Sequence, residues 1–154
     1  MNKINYIKGD ILNTKRKLIA HSCNNMGKFG AGVALTIARF IPQARFAYLR
    51  EFREAGFKLG DCQIVKLDNP YKNIKYVCNI IGQQTFGRSG IHADAEAIAK
   101  GVESLILFCE SYKIDGFATV KMGSGYGGLS WEVVERKILP IISKHYVEVD
   151  VHYI

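Results

Sequence analysis

The run Leu18-Ile19-Ala20-His21-Ser22 is short and mostly apolar, and it opens into Cys23-Asn24-Asn25 and a turn carrying Gly27, Gly30 and Gly32. A helical stretch, 31–40, follows at once. A strand that passes through a glycine-rich turn into a helix constrains the fold strongly. Glycine lets the backbone approach a neighbour or ligand closely, and the helix start points unpaired N–H groups and a partial positive charge outward. Such a junction is built to hold an anion. Its spacing is neither that of the phosphate-binding loop of nucleotide hydrolases nor that of the dinucleotide fingerprint.

The same alternation continues along the chain. Ile4–Lys8 alternates as a strand and ends at Gly9-Asp10; residues 17–22 read as a second, largely buried strand. Pro42 suits the first turn of a helix, in which Ala44, Tyr48, Phe52 and Ala55 share a face and Gly56 is the stop. Residues 62–67 and 75–81 read as strands, separated by the turn signal Asp68-Asn69-Pro70-Tyr71. Residues 83–91 are polar and read as a loop. The clearest helix is predicted over 92–112, where Ala95, Ile98, Ala99, Val102, Leu105, Ile106 and Cys109 form one apolar stripe. A strand at 116–121 leads into Met122-Gly123-Ser124-Gly125-Tyr126-Gly127-Gly128-Leu129, a second glycine-rich loop. Ser130 is the expected N-cap of a helix that Pro140 ends or kinks, and residues 145–154 close the chain as a strand.

No linker or internal repeat interrupts this order, so the expectation is one α/β domain over 1–154, with a mixed, mostly parallel sheet between helices on both faces. Ligands of such sheets bind beyond the carboxyl ends of the strands. Gly9-Asp10, the Gly30 loop and the Gly123 loop each follow a predicted strand, and their convergence at one sheet end is the strongest physical argument for a binding site.

Composition narrows the class. The 154 residues are 48% hydrophobic, which is globular and excludes a disordered chain. No apolar run is long enough to cross a bilayer, and Met1-Asn2-Lys3-Ile4-Asn5 lacks the apolar core of a signal peptide, so a cytoplasmic protein without membrane partners is expected. The four cysteines are widely spaced, with no pair at metal-ligand spacing. No metal or cofactor is implied. Three of them read as small core residues, whereas Cys23 beside the polar turn is either packed or reactive. The net charge of +7 favours an anionic partner. The basic residues are scattered, with Lys15-Arg16-Lys17 the only tight cluster, and no stripe of Lys and Arg interleaved with aromatics appears. That argues against nucleic acid and for a phosphorylated metabolite.

Two glycine-rich turns that lead into helices supply many backbone donors, a description that fits a pyrophosphate better than a lone carboxylate. Asp10 can accept from the exocyclic amine of a base or stand as a solvated loop carboxylate. Asn24 and Asn25 can bond ribose hydroxyls or cap a turn. Tyr126 can cover a ligand or pack on its loop, and Trp131 reads as core. Of the four histidines, His145 and His152 read as structural or surface residues and His92 as the start of a helix. His21 stands beside the anion loop. It can protonate a phosphate leaving group, attack phosphorus, or serve as a hydrogen-bonded structural residue.

Ile7-Lys8-Gly9-Asp10-Ile11, His21-Ser22-Cys23-Asn24-Asn25, Gly30-Ala31-Gly32-Val33-Ala34 and Gly123-Ser124-Gly125-Tyr126-Gly127-Gly128 occur together in this order. Over nearly its whole length the chain thereby resembles a macro domain, a three-layer α/β/α fold that binds ADP-ribose and its derivatives. Tyr6-Ile7-Lys8-Gly9, Phe40-x-Pro42-x-Ala44, Phe86-Gly87 and Trp131-x-x-Val134-Glu135-Arg136 make it most similar to the branch holding the yeast-type ADP-ribose 1″-phosphate phosphatase and the terminal ADP-ribose protein glycohydrolase.

The resemblance implies that Gly9, Asp10 and Ile11 receive adenine, the Asp10 carboxylate meeting the amine and the Ile11 amide a ring nitrogen, with Ile154 at the border. It implies that Gly30, Ala31, Gly32, Val33 and Ala34 hold the pyrophosphate and distal ribose. Asn24, flanked by Cys23 and Asn25, lies near that ribose, and residues 123–128 close over the phosphates. The glycohydrolase branch uses a lysine where this chain has Gln83 and Gln84, and an aspartate where it has Gly127. Mono-ADP-ribosyl hydrolases of another branch carry an aspartate near the place of Ala34. His21 matches a histidine implicated in the phosphatase. The expectation is therefore a metal-independent ADP-ribose 1″-phosphate phosphatase with His21 as its catalytic residue. The alternatives are a reader of ADP-ribose that performs no chemistry, and a hydrolase acting on ADP-ribosylated protein through other residues.

Overall fold

A computed structural model describes residues 3–85, 90–125 and 127–154. The strands are β1 (Ile4–Lys8), β2 (Leu18–Asn24), β3 (Cys62–Tyr71), β4 (Ile74–Gln83), β5 (Gly116–Thr119) and β6 (Glu148–Tyr153), and the helices are α1 (Gly32–Phe40), α2 (Pro42–Glu54), α3 (Ala95–Ser111) and α4 (Trp131–Ser143). The six strands form one sheet in the order β1-β6-β5-β2-β4-β3. Every neighbouring pair is parallel except β3 and β4, which form an antiparallel hairpin. The parallel strands therefore all end on one side, which carries the Gly9, Asn24, Gln83, Val120 and Ile154 ends.

Both faces of the sheet are covered, which is why its central strands read as nearly unbroken apolar runs. On β2, Leu18 and Ala20 point to a core shared with Ile98, Val102 and Leu105 of α3 and Val134, Ile138 and Ile142 of α4. Ile19 and Cys23 point to the opposite core, with Ile37 of α1 and Ala44 and Tyr48 of α2. Each of these apolar side chains stabilises the fold by about 1.5–3 kcal/mol on burial. The three-layer architecture expected of the sequence is the one observed.

The element ends differ in instructive ways. The segment 68–71 continues β3 rather than forming the turn. The register shifts between Lys66 and Tyr71, and the reversal falls at Lys72, whose φ is 52°. The helix α3 starts at Ala95, not at 92, because the Asp94 carboxylate accepts from the Ala97 N–H as an N-cap. Ser130 directs its hydroxyl to the Glu132 carboxylate instead of capping α4. Pro140 sits inside α4, which runs on to Ser143, and the last strand begins at Glu148. Ala55 is the exposed C-cap of α2 rather than part of its buried face. The turn of 3-10 helix at Ile11–Asn13 has no counterpart in the sequence reading.

Candidate functional site

At the carboxyl end of β1 and β6, a cavity of about 180 Å³ is lined by Gly9, Asp10, Ile11, Val33, Thr36, Ile37, Val120, His152 and Ile154. The Gly9 N–H donates to the Tyr153 carbonyl at 2.8 Å and so ties the two strand ends together. Its φ of 137° suits a residue without a Cβ. One oxygen of the Asp10 carboxylate accepts from the Leu12 N–H at 2.9 Å and caps the 3-10 turn. The carboxylate remains exposed at the cavity, with acceptor capacity to spare. Ile154 is fully exposed at the rim. Ordinary ligand pockets enclose roughly 300–1,000 Å³, so this cavity has the size of a subsite for one ring system rather than a whole dinucleotide-like ligand.

Beside it, the first glycine-rich loop is held by an amide and a phenol. The Asn24 Oδ1 accepts from the Met26 N–H at 2.9 Å and the Lys28 N–H at 3.3 Å, and its Nδ2 donates to the Lys28 carbonyl at 2.8 Å. The Tyr48 hydroxyl of α2 donates to the Asn24 carbonyl at 2.7 Å and accepts from the Gly27 N–H at 3.1 Å. Burial pushes this phenol up to about 12, so it stays a donor. Asn24 thus shapes the loop with its own side chain. Tyr48, fully buried, was visible in the sequence only as a core position; a buried tyrosine's need for a polar partner was the available signal. Beyond this loop, α1 starts at Gly32 without a side-chain cap, leaving the N–H groups of its first turn open to a ligand.

The other loops are laced to the first. The Asn25 N–H donates to the Gln83 carbonyl at 3.1 Å, and the Asp94 N–H to the Gly82 carbonyl at 2.7 Å. The Gly127 carbonyl accepts from both the His92 and Ala93 N–H groups, at 2.8 and 2.9 Å, while the Leu129 N–H donates to the Gly123 carbonyl at 2.9 Å. Ser124 donates its hydroxyl to the Lys121 carbonyl, and Gly125 leaves open space where a side chain would stand. At Gly127 a Cβ would sit 2.6 Å from the Gly123 carbonyl oxygen and 2.8 Å from the Ala93 Cβ. No L side chain fits there without moving the loop, the aspartate of the glycohydrolase branch included. Gln83 spends its Nε2 on the Thr85 carbonyl at 2.8 Å. Tyr126, Phe86 and Gly87 lie outside the described residues.

His21 lies beneath the first loop rather than in the cavity. It is 1% exposed, and its Nε2 is 2.6 Å from Asn79 Oδ1. The Asn79 Nδ2 is committed to the Gln63 Oε1 and the Ala44 carbonyl, so its Oδ1 must accept, and the imidazole carries its proton on Nε2. Desolvation lowers its pKa to about 4 even though the Asn79 bond raises it, so the ring is neutral at physiological pH. Phe29 packs edge-on against it at 5.3 Å between centroids. Cys23, with its sulfur 3.5 Å from His21 Nε2, is buried; burial drives its thiol well above the usual range, so it is no nucleophile at neutral pH.

His152 is the residue that the sequence reading set aside and the structure brings to the cavity. It shares a face of β6 with Ile154, and that period-two relation was the signal that could have found it.

Among the described residues no helix is long and apolar enough to cross a membrane.

Three comparisons bear on the identity of this frame. The chain is 27% identical over 181 aligned residues to an ADP-ribose 1″-phosphate phosphatase of Meyerozyma guilliermondii, with all of both chains covered. It is 27% identical over 139 residues to a DNA ADP-ribosyl glycohydrolase of Mycobacterium tuberculosis, covering 88% of this chain but 38% of that protein. In structure, it superposes on the macrodomain of Mycobacterium tuberculosis DarG with a TM-score of 0.85 at 23% identity, over 99% of this chain and 98% of that one, which speaks to the fold. The Macro domain family model matches residues 20–138, most of the chain, and the chain therefore belongs to the macro domain family.

Proposed function

We propose that this protein binds ADP-ribose and hydrolyses ADP-ribose 1″-phosphate to ADP-ribose and phosphate. The observation that carries this reading is the meeting, at one sheet end, of a base-sized cavity bearing Asp10 and two glycine-rich loops tied together by backbone hydrogen bonds. A carboxylate suits an amine-bearing base, and the open first turn of α1 suits a pyrophosphate. The full-length match to a relative named for this phosphatase activity supports the finer assignment.

In this reading the N–H groups of the two loops stabilise charge on the terminal phosphate as it passes to water, the way oxyanion-hole donors act, and no metal ion is required. His21 acts by position: a neutral, buried donor that fixes Asn79 and supports Phe29 under the loop. The burial of His21 and its committed Nε2 favour this role over acid, base or nucleophile.

A second reading, release of ADP-ribose from a macromolecule, is favoured by the glycohydrolase relative, which aligns with 88% of the chain. Gln83 and Gly127, at the places where that chemistry has its lysine and aspartate, weigh against it. Phosphorus NMR of ADP-ribose 1″-phosphate, incubated with the purified protein and a chelator, tests the proposal. Loss of the 1″-phosphate resonance with appearance of inorganic phosphate is expected. An unchanged spectrum with broadened ligand lines would refute hydrolysis and leave a reader of ADP-ribose.

A further inference from the structure

His152 is 6% exposed and lines the Asp10 cavity, yet neither ring nitrogen has a hydrogen-bond partner among the described residues. This is costly. A neutral imidazole carries one N–H donor and one lone pair, and a buried polar group left unmade costs about 1–3 kcal/mol. Other buried polar groups on this side of the sheet are satisfied. Asp150, two residues back on the same face, accepts from Asn5 Nδ2 at 2.9 Å and from Arg16 Nε at 2.8 Å. His21 has Asn79. His152 stands apart, against the one cavity of base size at this end.

We propose that His152 is a specificity residue of this cavity, its imidazole N–H donating to a ring nitrogen of the purine that the proposed function seats against Asp10. The inference rests on that reading. Its chemistry is complementary to that of Asp10. The carboxylate takes the exocyclic amine, a donor, while the remaining in-plane edges of adenine away from the amine present ring nitrogens that only accept. A residue able to donate is what those edges require, and valine, isoleucine and threonine, the other side chains nearby, offer little else. Selection for purine over other rings would then come from two sides of the pocket, one reading the amine and one the ring nitrogens.

The test is calorimetric binding of ADP-ribose and its 3-deaza and 7-deaza adenine analogues to the wild-type chain and to His152→Phe. The wild type should bind ADP-ribose and disfavour one of the two analogues about tenfold, the loss of one hydrogen bond to a buried donor. His152→Phe should bind ADP-ribose about tenfold more weakly and lose that discrimination. Its unliganded Tm should not fall, because no hydrogen bond of the free protein is removed. His152→Gln, which keeps a donor near the Nε2 position, or His152→Asn, near Nδ1, should restore discrimination and so name the nitrogen. Equal ADP-ribose affinity in wild type and His152→Phe, or equal discrimination, would overturn the inference and leave the functional reading standing. Failure of the wild type to bind ADP-ribose would overturn the functional reading, and this inference with it. Should His152→Phe not fold, the ring-nitrogen NMR shifts of His152 in the wild type decide: movement of one nitrogen on saturation with ADP-ribose is expected, and no movement would refute the contact.

Discussion

Lowering the pH should destabilise this protein through His21, and the size follows from its surroundings. In the unfolded chain the imidazole titrates near 6.5; in the folded protein desolvation holds it near 4, against the raising effect of the Asn79 bond. A depressed folded value means that the unfolded state takes up the proton first. The stability contribution is therefore complete above pH 6.5, declines as pH falls, and is fully lost below about 4. Each pH unit in that window is worth about 1.4 kcal/mol, so the step from pH 8 to pH 5 removes about 2 kcal/mol and the limit is about 3 kcal/mol. Asp150 does not confuse the measurement. Burial raises its pKa, but Arg16 and Asn5 outweigh that and hold it below the usual 3.8, so its contribution is lost only at lower pH. Urea unfolding, followed by the fluorescence of the single, buried Trp131, should show this loss in the wild type. His21→Gln keeps a donor toward Asn79 but cannot titrate, and the pH 8 to pH 5 loss should shrink by about 2 kcal/mol. Identical pH dependence in both proteins would refute the burial argument, and with it the positional role of His21.

Three further perturbations separate binding from stability. Asp10→Asn keeps an acceptor for the Leu12 N–H, so Tm should hold within a few degrees, while ADP-ribose affinity measured by calorimetry falls about tenfold as the charged acceptor is lost. Gly127→Ala places a methyl 2.6 Å from the Gly123 carbonyl oxygen; circular dichroism should show an intact fold while ADP-ribose binding and phosphate release are lost together. Lys113 has a φ of 56° just past the end of α3, where glycine is the favoured residue, so Lys113→Gly should raise unfolding stability by about 1 kcal/mol in urea titrations.

Much of the frame could be read from the chain because the cues were local. The α3 stripe, the strand–glycine–helix junctions and the alternation of elements each depend on residues close in sequence. What escaped depends on partners far away. The segment 68–71 carries turn residues, but its pairing across to Ile74 keeps it in β3. His21 and His152 differ little as letters, and nothing local says which one meets Asn79, 58 residues on, and which one is left against a cavity without a partner. Asn24 was legible as a polar residue of the site, but not as the residue whose amide is consumed in holding the loop, because its partners include Tyr48 from α2.

That distinction bears on how such a fold can bind one ligand and perform different chemistry. The groups that face the proposed pyrophosphate are backbone N–H groups, whose positions are fixed by the sheet end, by Asn24 and Tyr48, and by the lacing of residues 83, 93 and 127. Side-chain identity has little leverage on them. Reaction type rests instead on a few positions along the laced loops, such as Gln83 and Gly127, where the backbone already decides what can be accepted. At Gly127 an introduced aspartate meets the Gly123 carbonyl before it meets any substrate. Conversion toward glycohydrolase chemistry would therefore need the 123–129 loop to be rebuilt, not two substitutions. A Gln83→Lys, Gly127→Asp double variant should gain no release of ADP-ribose from modified protein, and should lose ADP-ribose binding as Gly127→Ala does. Appearance of that release, with binding intact, would show that side chains rather than loop geometry set the chemistry here.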